Sequence, residues 1–455
     1  MMRTTKVTER DEMIKKILNG VKNFFVTPYD SKKDIKDRDN SRGLADYALA
    51  AFLGVLLFSI YYRFCRNYMY SSTLNDLKDH AATAAGIFKD TLFQTWLDRP
   101  YLMWFLCVKV VLRFTSIHYD DGVSFVCALF ALACYIVTFW MLNRLNIHYF
   151  KEKAKAYLPA VLAAVLGFVQ PLFMDWFNST QYEGQFSINP IFNAPHMAVK
   201  CFGLFCVAVA IDILRRNRGK RTVFFSETLS DNRLYVILAA ALFLSVFTKP
   251  TFVFMFIPAG VVYVLTLLVS DLIVKDKAAV KGIGKLVLKM TLACIPAGLY
   301  ILIEYLAFYF WGDSNGNSRI AIGSLFEAWS MYTPNIFVSV IIAIIFPLWM
   351  VCTDFRYFWQ SIEGRLSVIC YLTGFFEFAI LIETGYKEAH LNFAWEYMSG
   401  MLVLFVIAAW RLLMCTNGFN GNGTWQKIRV SIGWFLLFLQ LYAGFFYMNN
   451  AAYLI

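Results

Sequence analysis

The stretch Arg99-Pro100-Tyr101-Leu102-Met103-Trp104-Phe105-Leu106-Cys107-Val108-Lys109-Val110-Val111-Leu112-Arg113 decides how this chain is threaded. It is apolar enough to be taken for a membrane crossing, yet Lys109 and Arg113 interrupt it. Counted as a crossing, it would move the basic cluster Arg144–Lys155 to the side opposite the N-terminus and reverse every later loop. Read as a helix lying in the outer interface, with Lys109 and Arg113 snorkelling toward water, it leaves every basic loop on one side. The positive-inside rule selects the second reading.

The composition sets the frame for that choice. Of 455 residues, 59% are hydrophobic and 18% aromatic, and the mean hydropathy is +0.54. Soluble domains rarely exceed about half apolar, so the chain reads as an all-α polytopic membrane protein. Apolar runs of spanning length fall at 45–65, 122–143, 157–176, 196–214, 233–247, 250–271, 286–310, 333–352, 366–383, 396–414 and 428–447. That makes about eleven transmembrane helices, plus the interface helix in the first outer loop. Residues 1–44 form a basic, cytoplasmic N-terminal segment, in which Ile14, Ile17, Leu18 and Val21 mark a short amphipathic surface helix. Residues 45–455 form one transmembrane domain: a core over 45–271 with the outer loop 66–121, and C-terminal helices over 272–455. No cleavable signal peptide is read, because the first apolar run follows the polar segment.

A formal charge of +11 does not point to nucleic acid here. The basic residues sit between apolar runs, at Arg144–Lys155, Arg215–Arg221, Lys275–Lys285, Arg356–Arg365 and Arg411–Arg429, as cytoplasmic loops do. The cysteines lie mostly inside apolar runs with no metal-ligand or disulfide spacing, and are read as small hydrophobes.

The opposite loops have a different character. They hold Asp76, Asp79, His80, Gln181, Glu183, Gln185, Asn189, His196, Asp313, Arg319, Glu383, Lys387, Glu388, His390 and Asn392. Four of the five histidines, His80, His118, His196 and His390, fall on this side. Within it, Asn75-Asp76-Leu77-Lys78-Asp79-His80 places two carboxylates and an imidazole at helical spacing, on one face. Asp76 opens that helix, where a carboxylate is stabilised. Glu304 and Glu377 lie near the outer ends of their apolar runs, and ionisable residues there are functional hypotheses by default.

The order of the first outer loop is informative. Asp76-x3-His80 is followed by Ala81, Ala82, Ala84, Ala85 and Gly86, then by Pro100-Tyr101 and the interface helix. This resembles the first extracytoplasmic loop of GT-C-fold membrane glycosyltransferases. The resemblance extends over residues 45 to about 271 and includes Phe247-Thr248-Lys249-Pro250-Thr251-Phe252. Two further stretches resemble GT-C-like multispan proteins of Gram-positive bacteria. They are Gly184-Gln185-Phe186-Ser187-Ile188-Asn189 with Asn193-Ala194-Pro195 and Lys200, and Glu383-Thr384-Gly385 with His390-Leu391-Asn392-Phe393-Ala394-Trp395. Phe192 stands where that pattern would have a histidine, and His196 follows four residues later.

The resemblance implies an enzyme of the plasma membrane with its site on the extracytoplasmic face. It would pass a sugar from a polyprenyl-phosphate donor to a glycan, lipid or wall-polymer acceptor. Asp76 is the expected base for the acceptor hydroxyl, with Asp79 and His80 beside it. Lys109, Lys200, Lys249 and Arg319 are the expected cations for the leaving phosphate. Gln185, Asn189, His196, Glu383, His390 and Asn392 are the expected sugar-binding groups, and Trp96, Trp104, Trp176 and Trp395 the stacking or belt residues. No cofactor is required, although Asp79 with Asp76 would be the pair to take a divalent ion. Three other readings stay open: a lipid-linked oligosaccharide flippase, a polysaccharide polymerase, and a non-catalytic assembly protein of the same fold. Lys249 at a tight turn would also serve simply to mark the membrane boundary.

Overall fold

The computed structural model describes residues 44–70, 76–86, 101–149, 157–173, 184–306, 319–384, 391–417 and 423–453. Several expectations fall outside these residues: the surface helix near Ile14, residues Asn75, Trp96, Arg99, Pro100, Asp175, Trp176, Gln181, Glu183, Asp313, Lys387, Glu388 and His390, and the basic residues Lys151–Lys155.

Long helices dominate, because apolar runs of this length satisfy their backbone polar groups internally. In chain order they are α1 (Leu44–Tyr70), α2 (Asp76–Gly86), α3 (Met103–Phe114), α4 (Tyr119–Tyr149), α5 (Tyr157–Leu166), α6 (Ala194–Asn217), α7 (Asp231–Thr248), α8 (Thr251–Val274) and α9 (Lys277–Leu306). Strand β1 (Arg319–Ile322) and the short α10 (Glu327–Ser330) follow, then α11 (Ile336–Thr353), α12 (Phe355–Gln360) and α13 (Ile362–Ile380). Strand β2 (Leu381–Thr384), α14 (Ala394–Asn417) and α15 (Thr424–Tyr453) complete the order. The chain is a multi-pass membrane protein: among the described residues, nine helices are long and apolar enough to cross a bilayer.

Two of the eleven expected crossings differ. The run 157–176 is not one helix, since α5 ends at Leu166 after ten residues, about half the length needed to span. Gly167 and Pro171 follow, a residue that weakens helix and one that breaks it. The run 366–383 becomes α13, which begins earlier and carries Glu363, Arg365 and Glu377. It is helical and well buried, and its three charges within nineteen residues keep it out of the nine.

The segment after α5 stays inside the bundle as non-helical chain, so its backbone needs partners. Gln170 N–H donates to Gln440 O at 3.1 Å, and Leu172 N–H to Ile342 O at 3.2 Å. Tyr61 OH donates to Gly167 O at 2.5 Å. The kink in α11 supplies the free carbonyls. Pro347 offers no N–H to Ala343 O, Ile344 leaves helical geometry with φ −117° and ψ 21°, and Gln440 Nε2 donates to Ala343 O at 2.8 Å. Gly444 of α15 admits the coil, for a Cβ there would lie 1.7 Å from Phe168 O.

Helices α13 and α14 make the closest pair. A Cβ on Gly374 would lie 2.5 Å from Glu396 O, and one on Gly400 would lie 2.6 Å from Cys370 O. Small residues permit this backbone approach where lipid gives no hydrophobic drive between helices. Sequence periodicity does not report it. At the helix ends carrying the basic loops, those residues are partly consumed in ion pairs. Arg218 meets Asp271 at 2.9 Å, Arg429 meets Asp354 at 3.2 Å, and Arg411 also pairs with Asp354. Arg215 Nη1 donates to Tyr149 OH at 2.7 Å, and Tyr149 OH donates to Glu363 Oε1 at 2.8 Å. Asp212 accepts from the backbone N–H groups of Val223, Phe224 and Phe225, so it holds a loop.

Gly400→Val is expected to lower the stability of the solubilised protein by about 1–3 kcal/mol through overpacking. Gly298→Ala, where a Cβ meets nothing within 4 Å, is expected to leave it unchanged or slightly raised. Thermal unfolding of both variants in one detergent checks the contrast.

Candidate functional site

The site is built where α5 stops short. Backbone N–H groups of Gly167 and Phe168 meet the carbonyls of Ala163, Ala164 and Val165, and Asn189 meets the next ones: Nδ2 donates to Leu166 O, the last of α5, at 2.9 Å and to Val169 O, in the coil beyond, at 3.0 Å. Lys200, seven residues into α6, donates from Nζ to Asn189 Oδ1 at 2.5 Å. Its positive charge sits beside the negative end of the α5 dipole, a favourable placement. Ser187 Oγ accepts from Asn189 N–H at 2.9 Å, and Gln170 Nε2 donates to Asn189 O at 2.7 Å. Gly184 with φ 89° and Phe186 with φ 61° turn the chain into this position. The sequence expectation for Asn189 and Lys200 is contact with sugar and phosphate; their polar atoms are instead committed to the scaffold.

One turn outward, Asn193 caps α6 by accepting from His196 N–H at 3.1 Å. The same oxygen, Oδ1, accepts from Lys249 Nζ at 3.1 Å. Lys249 occupies the break between α7 and α8, where Pro250 cannot continue the α7 hydrogen-bond ladder. Its Nζ lies 4.1 Å from the centroid of the Trp395 ring, and the His196 ring lies 5.0 Å from that same ring. Burial lowers the Lys249 pKa to about 7, against opposing pulls from the charges of Glu396 and Asp76. Of these two opposing charges Asp76 is the weaker.

Helix α2 begins at Asp76, with Asp76 and Asp79 both in its first turn. Leu77, Ala81 and Ala84 are buried, which is what an alanine-rich face permits against α3. His80 is half-buried and packs its ring 5.8 Å from Phe105 and 6.3 Å from Trp104, both of α3. The three expected residues thus share a helix and differ in surroundings. Asp76 and Asp79 are exposed, while His80 meets aromatic rings. Helix α3 covers Met103–Phe114, with Trp104, Phe105 and Val108 buried. Lys109 is half-exposed on it.

The other rim of the site is a two-stranded antiparallel sheet, the one β structure among the described residues. Ile320 pairs with Glu383 and Arg319 with Thr384, which joins two outer loops at one end of the bundle. Arg319 is exposed. Asn392 Nδ2 donates to Glu383 Oε2. Trp329 Nε1 donates to Gly184 O at 2.7 Å, tying this rim to the α6 loop. Gln185 is fully buried, and neither polar atom of its amide has a hydrogen-bond partner among the described residues. Glu396, buried at the start of α14, leaves Oε2 without a partner among them. Sequence reasoning misses Asn193 and Glu396 as site residues. A cap residue ahead of Ala194-Pro195 and an acid opening an apolar run are the signals that could find them.

Among the described residues no group of three His, Cys, Asp or Glu converges to hold a metal ion. Asp76 and Asp79 alone do not make such a site.

No protein-family model matches the chain, and no curated protein matches it significantly. Among solved structures it is similar to an oligosaccharyltransferase from Archaeoglobus fulgidus. The complex of that protein with an inhibitory peptide and a dolichol-phosphate aligns at TM-score 0.47 and 10% identity, covering 90% of this chain and 56% of that one. The apo form aligns at TM-score 0.44 and 10% identity, covering 90% and 56%. The chain thus spans little more than half the length of the structures it matches.

The Asn189–Lys200 pair is testable by itself. Asn189→Leu leaves a buried ammonium unpaired and is expected to destabilise by about 3–5 kcal/mol. Adding Lys200→Met removes that charge and should recover much of the loss. Thermal unfolding of the two single variants and the double decides it; a double variant no better than Asn189→Leu would contradict the pairing.

Proposed function

We propose that this chain is a GT-C-like membrane glycosyltransferase that takes a sugar from a polyprenyl-phosphate donor and passes it to a glycan, lipid or wall-polymer hydroxyl on the extracytoplasmic face. The observation that carries the reading is the buried Lys249 ammonium, held by Asn193 Oδ1 at 3.1 Å and 4.1 Å from the centre of the Trp395 ring, with the exposed Asp76 at the start of α2 as the base. A base and a phosphate-binding cation are what transfer from a lipid phosphate needs.

In this reading the donor phosphate displaces nothing structural. It adds to the Lys249 ammonium, already oriented by Asn193, and the low-polarity surroundings strengthen that contact. The sugar lies against the Trp395 face. Asp76, exposed at the start of α2, takes the proton of the acceptor hydroxyl as its oxygen attacks the anomeric carbon. The bond from that carbon to the phosphate oxygen breaks, and the lipid phosphate leaves with its negative charge on the Lys249 side. His80 fixes α2 against α3 and so positions Asp76. Gln185 offers its buried amide to sugar hydroxyls, with Asn392, Glu383 and Arg319 around the rim; His390, outside the described residues, remains a sugar-binding group by sequence alone. Lys109 and Asp79 would meet the approaching donor and acceptor from solvent.

The pH dependence has a definite sign. With a pKa of about 7, free Lys249 loses its charge as pH rises through neutrality. A donor phosphodiester keeps one negative charge across this range and favours the charged lysine. Binding above about pH 7 must therefore take up a proton, and donor affinity should fall by up to about tenfold per pH unit. Lys249→Arg, whose charge does not titrate here, should flatten the profile. Lys249→Met should raise the donor KM roughly 10- to 100-fold.

Asp76→Asn, in correctly inserted protein and at saturating donor, should lower transfer by about 10²–10⁴-fold; donor affinity should fall only at and above neutral pH, where the lower Lys249 pKa leaves the lysine uncharged. The assay is transfer of radiolabelled sugar from a polyprenyl-phosphate donor in proteoliposomes. Undiminished transfer by Asp76→Asn would end the reading.

A further inference from the structure

At the end of the bundle opposite this site, α6, α7 and α9 enclose a cavity of about 170 Å³. Its polar lining is chiefly cationic: Arg216, Lys285 and Lys289, with Asn217 and Tyr235. The one carboxylate in the lining, Asp231, is paired with Arg216 at 2.8 Å. Asn217 is turned to the wall, with Nδ2 donating to Gly282 O at 3.2 Å. Lys289 donates to Asn232 Oδ1 at 3.1 Å and lies 5.4 Å from the centre of the Tyr235 ring. Lys285 is exposed. The cavity therefore carries surplus positive charge.

Its position on the bundle says what supplies the negative charge. Lys277, Lys281, Lys285 and Lys289 recur every fourth residue along the first half of α9, a spacing that keeps them near one face. They step from the helix end into the apolar span. Beside the cavity, Val236 of α7 and Leu288 and Leu292 of α9 are 68%, 61% and 55% exposed. Exposed apolar residues on the same two helices that carry the basic cavity match a lipid, headgroup inward and chains alongside. A soluble anion would use the cations and leave these residues without a role.

We propose that this cavity binds the phosphate headgroup of an anionic phospholipid from the leaflet at that end, held by Lys285 and Lys289, with its acyl chains along Val236, Leu288 and Leu292. The site is independent of the transfer reaction. Juxtamembrane lysines attract anionic lipid; the cavity adds a defined place for the phosphate between two helices.

The test uses full-length protein in neutral detergent, titrated with phosphatidylglycerol, phosphatidylcholine or glycerol phosphate, and reads the thermal unfolding midpoint. Phosphatidylglycerol alone should raise it. The concentration for half the effect should rise about 5-fold for Lys285→Ala or Lys289→Met and about 25-fold for both. Removing Arg233 and Lys277, equal charges outside the cavity lining, should leave it unchanged. The single variants carry the test if the double does not fold. An equal shift from glycerol phosphate would replace the lipid by a soluble anion. Equal loss with the control pair would reduce the effect to surface charge. Either result overturns the proposal.

Discussion

Burying two lysine side chains at one end of an apolar bundle is the constraint on which the rest of this structure depends. An ammonium removed from water needs an oxygen close by, and each lysine has one. Lys200 has Asn189, which in turn holds the last carbonyl of the broken helix α5 and one in the coil beyond. Lys249 has Asn193, which caps α6. The broken helix, the coil that follows it and the turn between α7 and α8 are thus parts of one solution. The kink in α11 and the glycine at 444 let that coil lie inside the bundle with its polar groups met.

The two lysines differ in what they leave available. Lys200 is enclosed by its scaffold, whereas Lys249 stands between a cap oxygen, an indole face and two carboxylates at a distance. That difference separates a structural cation from one suited to a ligand's phosphate. The same division runs through the rest of the molecule. At the opposite end Arg215, Arg218, Arg411 and Arg429 are tied to Glu363, Asp271 and Asp354. Around Lys285, by contrast, positive charge remains in excess at a cavity.

Much of this was legible in sequence because membrane crossing depends on length and apolarity, which are local properties. The start of α2 at Asp76, the helix after Tyr101 and the break at Lys249 could be read for that reason, each having its own residue signal. The broken helix at Leu166 could not. Its apolar run continues past Gly167, and the partners that stabilise the break come from Asn189, Gln440 and α11, far along the chain. The approach of α13 to α14 rests on glycines whose role is visible only across the interface. Gln185, Asn189 and Lys200 stand out in sequence as polar residues on one side. Only the folded hydrogen bonds tell Asn189, whose amide is engaged at both atoms, and Lys200, which donates to it, from Gln185, whose amide has no partner among the described residues.

If Asp76 and Lys249 act on one another within one site, the titration of Lys249 must depend on the Asp76 charge. The direct measurement is carbon NMR of selectively labelled lysine, in the native protein and in Asp76→Asn. The expected result is a Lys249 pKa near 7 in the native protein and a lower one when the Asp76 charge is removed. An ordinary lysine pKa, or one that Asp76→Asn leaves unmoved, would contradict it.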